Sequence, residues 1–140
     1  MSSSATPADH YAASALAERG AVLRAQAASS GVAGVALAHY GNHHTMLTYR
    51  SQSGDAEVHE NYADVFVIVG GEAILVTEGR LVEAKEESPG EIRGSAVSGG
   101  KETVMAEGDV VHISAGVPHQ ILVSPGHELI YFVMKIKKGA

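Results

Sequence analysis

Hydrophobic and polar positions change their period near Gly31. In the alanine-rich stretch before it, apolar residues recur at the spacing of one helix face, which predicts a single amphipathic helix. The apolar residues sharing this face are Leu16, Leu23 and Ala27. Thr6-Pro7-Ala8-Asp9 predicts the start of the helix, Ser29 lies near its end, and Gly31 is the stop. We therefore expect residues 1–31 to form an N-terminal helical extension, packed on the domain or on a partner subunit.

From Val32 onward the pattern becomes that of strands. Short runs rich in Val, Ile, Leu and Tyr are separated by glycine-containing turns, as in an all-β sandwich or barrel. Gly70-Gly71 and Glu78-Gly79 predict hairpin turns. Residues 84–101 predict a long loop, a candidate lid or subunit contact, with a short strand near Glu91 to Ser95. The predicted strands span 32–39, 44–51, 55–59, 64–69, 72–77, 80–83, 102–106, 109–113, 119–123 and 128–136.

Size and charge narrow the functional classes. The chain has 140 residues, 45% apolar and 19% charged, which fits one β-barrel domain over residues 32–140 after the helical extension. A net charge of -6 without a basic run argues against nucleic acid or an anionic membrane as partner. There is no cysteine, so disulfides and thiolate chemistry are excluded. Neither a secretory signal nor a bilayer-length apolar stretch is present, and we expect a cytoplasmic protein.

Candidate chemistry lies in two stretches of the strand-rich region. Glu57 and His59 are two apart on a predicted strand, so their side chains point to the same face about 7 Å apart. Asp64 begins the next strand, and His119 opens a later one directly after a Gly-x-Pro bend. Imidazole nitrogens and carboxylate oxygens converging from separate strands suit Fe(II), Mn(II), Ni(II) or Zn(II).

The two stretches resemble the two motifs of the cupin superfamily. The family's first motif, G-x5-H-x-H-x3-4-E-x6-G, is similar to Ser51-x5-Glu57-x-His59-x4-Asp64-x6-Gly71. The second, G-x5-P-x-G-x2-H-x3-N, is similar to Gly108-x5-Ser114-x-Gly116-x2-His119-x3-Val123. The resemblance extends from about Thr45 to Lys135. It implies a single jelly-roll β-barrel with metal ligands inside its mouth.

The resemblance also implies a ligand set. The family's metal-binding positions fall on Glu57, which replaces a histidine, His59, Asp64, which replaces a glutamate, and His119. The added acid at Glu57 gives a set of two histidines and two carboxylates, which favours Mn, Fe or Zn over Cu(I). If Asp64, one methylene shorter than glutamate, does not reach the metal, the other three residues form a two-His-one-carboxylate set. The unligated acid, Asp64 or Glu57, is then the expected catalytic general base.

Other residues are candidates for binding a substrate. Arg50 shares a strand face with Met46 and Thr48, and on the barrel interior it would grip an anionic substrate or pair with Asp55 or Glu57.

Three histidines, His39, His43 and His44, cluster before a strand. The cluster indicates a second metal site or substrate binding, with His44 the candidate for binding substrate, but a loop at the barrel rim explains it equally well. Tyr62 is either a rim hydrogen-bond donor or a solvent-facing corner residue.

The leading interpretation is a cupin-like metalloprotein, an oxygenase, isomerase or lyase acting on a small organic molecule. The alternatives are a barrel that binds a small ligand without metal, and a barrel whose polar cluster is only structural. The resemblance also implies a homodimer, with the N-terminal helix as a candidate contact.

Overall fold

The computed structural model describes residues 8–139, which form one helix and twelve strands. The helix α1 spans Ala13–Gln26. The strands are β1 (Val32–His39), β2 (His43–Arg50), β3 (Ala56–His59), β4 (Tyr62–Thr77), β5 (Arg80–Val82), β6 (Lys85–Ser88), β7 (Glu91–Gly94), β8 (Ala96–Ser98), β9 (Lys101–Ala106), β10 (Val110–Ile113), β11 (His119–Leu122) and β12 (Leu129–Lys137).

Strand β4 joins two antiparallel sheets because it pairs on both sides of its midpoint. Its first part lies between β12 and β10, in a sheet of order β1-β2-β12-β4-β10. Its last part lies between β11 and β9, in a sheet of order β6-β7-β3-β11-β4-β9. Strands β5 and β8 form a separate ribbon. This is the all-β jelly-roll barrel with an N-terminal helix that the sequence predicts.

Alternation along β12 shows how the barrel is filled. Leu129, Tyr131 and Val133 point into the core between the two sheets, while Ile130 and Phe132 point to the outer face. A strand places successive side chains on opposite faces, so a continuous apolar run predicts burial on both. Helix α1 packs against this outer face, since Leu23 and the C-cap residue Ala27 belong to the same buried cluster as Ile130.

A charged contact holds α1 against the barrel. The Arg24 guanidinium donates two hydrogen bonds to the Glu128 carboxylate, at 2.7 and 2.9 Å. The Tyr49 hydroxyl donates a third at 3.0 Å. These hydrogen bonds from Arg24 lower the pKa of Glu128, although burial acts in the opposite direction. Within residues 8–139, no helix combines the length and apolar character needed to cross a bilayer.

The structure corrects the predicted ends of the helix. It begins at Ala13 rather than near Thr6-Pro7, which lie outside the described residues, and Ala12 is an N-cap without a side-chain hydrogen bond. Asp9 instead accepts a hydrogen bond from the Tyr40 hydroxyl. The helix ends at Gln26, and a turn leads to Gly31, whose φ is 81°.

The predicted hairpin at Gly70-Gly71 is wrong. The chain continues as β4 through both glycines, and a register shift opposite Ile130 and Tyr131 marks a bulge. Glycine inside a strand often marks such a bend, because the backbone there needs freedom or a close approach. Both apply to Gly71, which has φ of 82° and lies directly against the Glu128 carbonyl.

The long loop predicted for residues 84–101 is wrong, whereas the short strand predicted within it near Glu91 to Ser95 is present as β7. Three short strands, β6, β7 and β8, fill this segment, and β7 pairs with β3 beside the candidate site. Each of these strands is too short for an alternation of apolar and polar residues to be recognised in the sequence. The turn at Glu78-Gly79 is present with positive φ at both residues, but β5 after it pairs with β8 rather than β4.

Gly71→Ala should destabilise the fold more than Gly126→Ala. Both positions have positive φ, which costs an alanine roughly 1–2 kcal/mol, but only at Gly71 would a Cβ collide with a carbonyl, adding about 1–3 kcal/mol. Urea unfolding of the two variants measures the difference. Equal losses would show that the bend of β4 tolerates a side chain.

The contact between Arg24 and Glu128 should make stability depend on pH. The pKa of Glu128 is lowered in the folded state. The stabilisation that this contact gives is therefore complete above the ordinary pKa of 4.5 and is lost as the pH falls through the pKa of the folded state. The unfolding free energies of wild type and Glu128→Gln should therefore differ at neutral pH and converge in acid. Glu107→Gln, in an exposed turn, is the control, and a pH-independent difference for Glu128→Gln would contradict the prediction.

Candidate metal centre

Three strands bring the four predicted ligands together. Glu57 and His59 lie on β3, and His119, at the start of β11, pairs directly with Glu57 across the ladder. Asp64 lies near the start of β4, on the opposite sheet. The exposed fractions of His59, His119 and Asp64 are 8%, 4% and 2%, so the cluster is buried inside the barrel.

The ligand atoms converge on one point. Nε2 of His59 lies 3.4 Å from Glu57 Oε1 and 3.5 Å from Asp64 Oδ2. Nε2 of His119 lies 3.9 and 3.7 Å from the same two oxygens. Ligands bonded to a tetrahedral ion at 2.0–2.2 Å are themselves about 3.3–3.6 Å apart. The ligand atoms of Glu57, His59 and His119 all lie within 4.8 Å of one another and so suit a shared divalent metal, whereas Asp64 falls outside this group.

Outer hydrogen bonds orient both imidazoles. Nδ1 of His59 lies 2.6 Å from Glu91 Oε1, and Nδ1 of His119 lies 3.0 Å from the Val117 carbonyl oxygen. A carbonyl only accepts, so Nδ1 of His119 carries the proton and its Nε2 is left with a lone pair facing the cluster. Proteins orient metal-binding histidines in this way.

The charges in the cluster are strongly coupled. Burial raises the pKa of Glu57, but the hydrogen bond and charge of His59, together with Arg93, outweigh it and lower the pKa to about 2. Burial lowers the pKa of His59, yet the contact with Glu57 gives a net increase. Burial lowers the pKa of His119. Glu57 is therefore a carboxylate at any physiological pH, as a metal ligand must be.

Two cations balance the charges of Asp64 and Glu57. Lys135 Nζ lies 2.7 Å from Asp64 Oδ1, and the two residues are direct partners between β12 and β4. Arg93 approaches Glu57 at 3.4 Å and Asp55 at 3.3 Å. Asp64 thus presents Oδ2 to the imidazoles while its other oxygen is ion-paired.

The cluster opens into a cavity of about 380 Å³, near the lower end of the size range of small-molecule pockets. Part of its wall is apolar and part is charged or polar. The apolar lining residues are Val32, Met46, Phe66, Ile121, Tyr131 and Val133, and the other side chains are Thr48, Arg50, Asp55, Glu57, His59, Asp64, Glu91, Arg93, His119, Gln120 and Lys135.

The sequence matches no family model and none of the curated proteins, but solved structures resemble the fold. The DMSP lyase DddQ from Ruegeria pomeroyi has a TM-score of 0.55 and 16% identity, over 76% of this chain and 47% of its own, so the chain spans about half of that protein. The polyketide cyclase RemF from Streptomyces resistomycificus has a TM-score of 0.55 and 16% identity, over 79% and 69%. A cupin protein from Bacteroides fragilis has a TM-score of 0.54 and 13% identity, over 77% and 79%. The fold is a cupin fold.

Within this cupin barrel the predicted substrate-binding residues separate into two groups. Arg50 lines the cavity together with Met46 and Thr48, as their shared strand face predicts. His44 and Tyr62 lie outside the lining and contact each other edge to face, with ring centroids 5.9 Å apart.

The histidine cluster forms its own stack on the β1–β2 hairpin. His39 and His44 are cross-strand partners with rings 5.0 Å apart, and His43 stacks on Tyr40. Among the described residues, the three acidic or imidazole side chains that meet closely enough to hold a metal are Glu57, His59 and His119 instead.

Sequence reasoning missed the residues that support the ligands. Glu91 and Arg93 lie in the short strand predicted near Glu91 to Ser95, but the sequence predicts no supporting role for them or for Lys135. Their partners are 32, 38 and 71 residues away in sequence, so no local spacing reveals them. The available signal was the alternation of β12, which places Lys135 on the same face as Val133 and Tyr131, toward the interior.

Glu91→Ala should weaken metal binding by about 10- to 100-fold, because His59 loses the acceptor that orients its ring. Glu91→Gln keeps an acceptor oxygen and should lose less. Calorimetric titration with Mn(II) and Zn(II) measures both, and Glu87→Ala, on the exposed strand β6, is the control. Wild-type affinity in Glu91→Ala would show that the contact does not position the ring.

Proposed function

We propose that this protein binds one divalent metal ion through Glu57, His59 and His119 and acts on a small organic molecule in the adjoining cavity. The observation that carries the proposal is the convergence of one ligand atom from each of these buried or half-buried residues, within 4.8 Å of one another. Two enzymes, a lyase and a cyclase, share the fold, although their low identity speaks only to architecture.

The outer partners make the three residues suitable ligands. Glu91 and Val117 engage Nδ1 of the two histidines, so each imidazole offers Nε2 to the same point. Glu57, with a pKa of about 2, needs no deprotonation to bind a cation. When bound, Mn(II), Fe(II), Ni(II) or Zn(II) would supply Lewis-acid or water-activating chemistry, or dioxygen chemistry with iron.

We assign Asp64 to proton transfer rather than to the ligand set. Its Oδ1 is held by Lys135, while Oδ2 faces both imidazoles from the opposite sheet. A carboxylate fixed on one oxygen and open on the other can accept a proton from a substrate held in the cavity. Lys135 neutralises its charge, which limits the cost of keeping it buried. Isomerase and lyase reactions that begin with removal of a proton would use such a base.

A second candidate is a barrel that binds its ligand without metal. The observation in its favour is that cations of the chain itself already face the acids: Arg93 faces Glu57, Lys135 faces Asp64, and His59, if protonated, faces both. In that arrangement the cluster would be a stable polar network. Metal content separates the two candidates directly.

Purified tag-free protein should contain close to one equivalent of metal by mass spectrometry, or take it up on soaking with Mn, Fe, Ni or Zn salts. His59→Ala and His119→Ala should lose it, because each removes a buried nitrogen ligand. His112→Ala, on an exposed position of β10, is the matched control and should retain it.

The ligand set is tested by two isosteric changes. Glu57→Gln should weaken metal binding by more than the roughly 10- to 100-fold that loss of an outer partner costs, whereas Asp64→Asn should keep the stoichiometry. Equal loss in both would make Asp64 a fourth ligand. Wild-type protein that stays empty after every soak would exclude the metalloprotein and leave the metal-free barrel.

A further inference from the structure

Arg50 differs from the other two cations of the cavity in having no acidic partner. Lys135 is paired with Asp64, and Arg93 lies against Asp55 and Glu57. Within residues 8–139, the hydrogen bond of the Arg50 side chain goes from Nε to the Tyr131 hydroxyl, at 3.1 Å. The two terminal nitrogens of the guanidinium donate to no protein group in this part of the chain. A half-buried cation with two open donors is an anion receptor.

The guanidinium is held in place rather than loosely exposed. A Cβ built on Gly54 would lie 3.0–3.1 Å from Cζ and both terminal nitrogens of Arg50, so the group lies flat against the Gly54 backbone. Tyr131 fixes its other edge and is itself buried, with 5% of its surface exposed. A receptor whose position is fixed before binding loses little entropy when the ligand arrives.

The net charge of the cavity lining with a metal bound also favours an anionic ligand. Four carboxylates line it, Asp55, Glu57, Asp64 and Glu91, against three cations. With a divalent ion bound and both imidazoles neutral, the lining carries one positive charge in excess. A monoanionic ligand would neutralise that excess, and in a partly enclosed cavity such compensation is favourable.

We infer that the ligand of this cavity is a small organic carboxylate, with its carboxylate bound by Arg50 and its body against the apolar wall. This inference rests on the proposed function for the identity of the reacting centre but not for the contact at Arg50. The apolar wall is formed by Val32, Met46, Phe66, Ile121 and Val133. A guanidinium matches the two oxygens of a carboxylate in one plane, which gives specificity as well as affinity.

The test compares straight-chain carboxylates from acetate to hexanoate with the matching neutral amides, by calorimetry, on metal-free and Mn(II)-loaded protein. A carboxylate should bind at least about tenfold more tightly than its amide, since a charge-assisted hydrogen bond contributes ~1.5–3 kcal/mol. Arg50→Gln should abolish this preference by weakening carboxylate binding much more than amide binding, while the metal content stays unchanged. Arg50→Lys should retain part of it, because the charge remains and the planar fork is lost.

Arg80→Gln, on an exposed position of β5, is the matched control and should behave as wild type. A preference that survives Arg50→Gln, or no binding by any carboxylate of the series, would overturn the inference. Tighter binding of the corresponding alkylphosphonates would also overturn it, because the receptor would then favour phosphate chemistry. Metal binding without a carboxylate preference would contradict only this inference, and an Arg50-dependent preference in protein that binds no metal would contradict only the proposed metal function.

Discussion

The bend of β4 at Gly70-Gly71 is the constraint on which the site depends. Its first part holds Asp64 in one sheet, and its last part pairs with β11, which carries His119 in the other. The bend therefore determines how closely groups from the two sheets approach inside the barrel. The backbone of Gly71 packs directly against Glu128, and the Glu128 carboxylate also accepts a hydrogen bond from Arg24 of helix α1. This bend of β4 thus connects helix α1 on the outside, the junction of the two sheets, and the charged cluster inside the barrel.

Burial of so many charges is possible only because they are arranged in pairs. An isolated ionised group inside a protein costs several kcal/mol, and removing one partner of a buried pair is strongly destabilising. Glu57 contacts His59 and Arg93, Asp64 contacts Lys135, and Glu91 contacts His59. Glu57, at a position where the cupin motif has a histidine, accordingly has a nearby cation, Arg93.

Much of the fold follows from the sequence because it depends on local alternation. Strands β1, β2 and β12 carry apolar side chains on alternate or both faces over eight or nine residues, which is long enough to read. The strands β6 to β8 have three or four residues each, and their pairing is decided by contacts with distant strands. The bend in β4 was missed for a related reason, because two glycines suit a hairpin and a strand bulge equally.

The ligand positions were accessible because their spacing belongs to a recognisable motif, whereas their partners were not. Glu91 supports His59 from a neighbouring strand, and Lys135 reaches Asp64 through the register of β12 and β4. Such contacts depend on tertiary packing that a single sequence does not display. In the proposed function these partners would still matter, since Glu91 orients His59 and Lys135 holds one oxygen of Asp64.

The architecture of the barrel does not by itself identify an activity. Structures with 13–16% identity share this barrel, and one fold hosts many reactions. The cavity of this chain combines Glu57 at a position where the cupin motif has a histidine, an ion-paired Asp64, and Arg50 without an acidic partner in the described residues. If a metal binds as proposed, the first two would lower the charge at the ion, and Arg50 would supply a fixed positive group. Such a cavity would then select ligands both by their charge and by coordination to the metal.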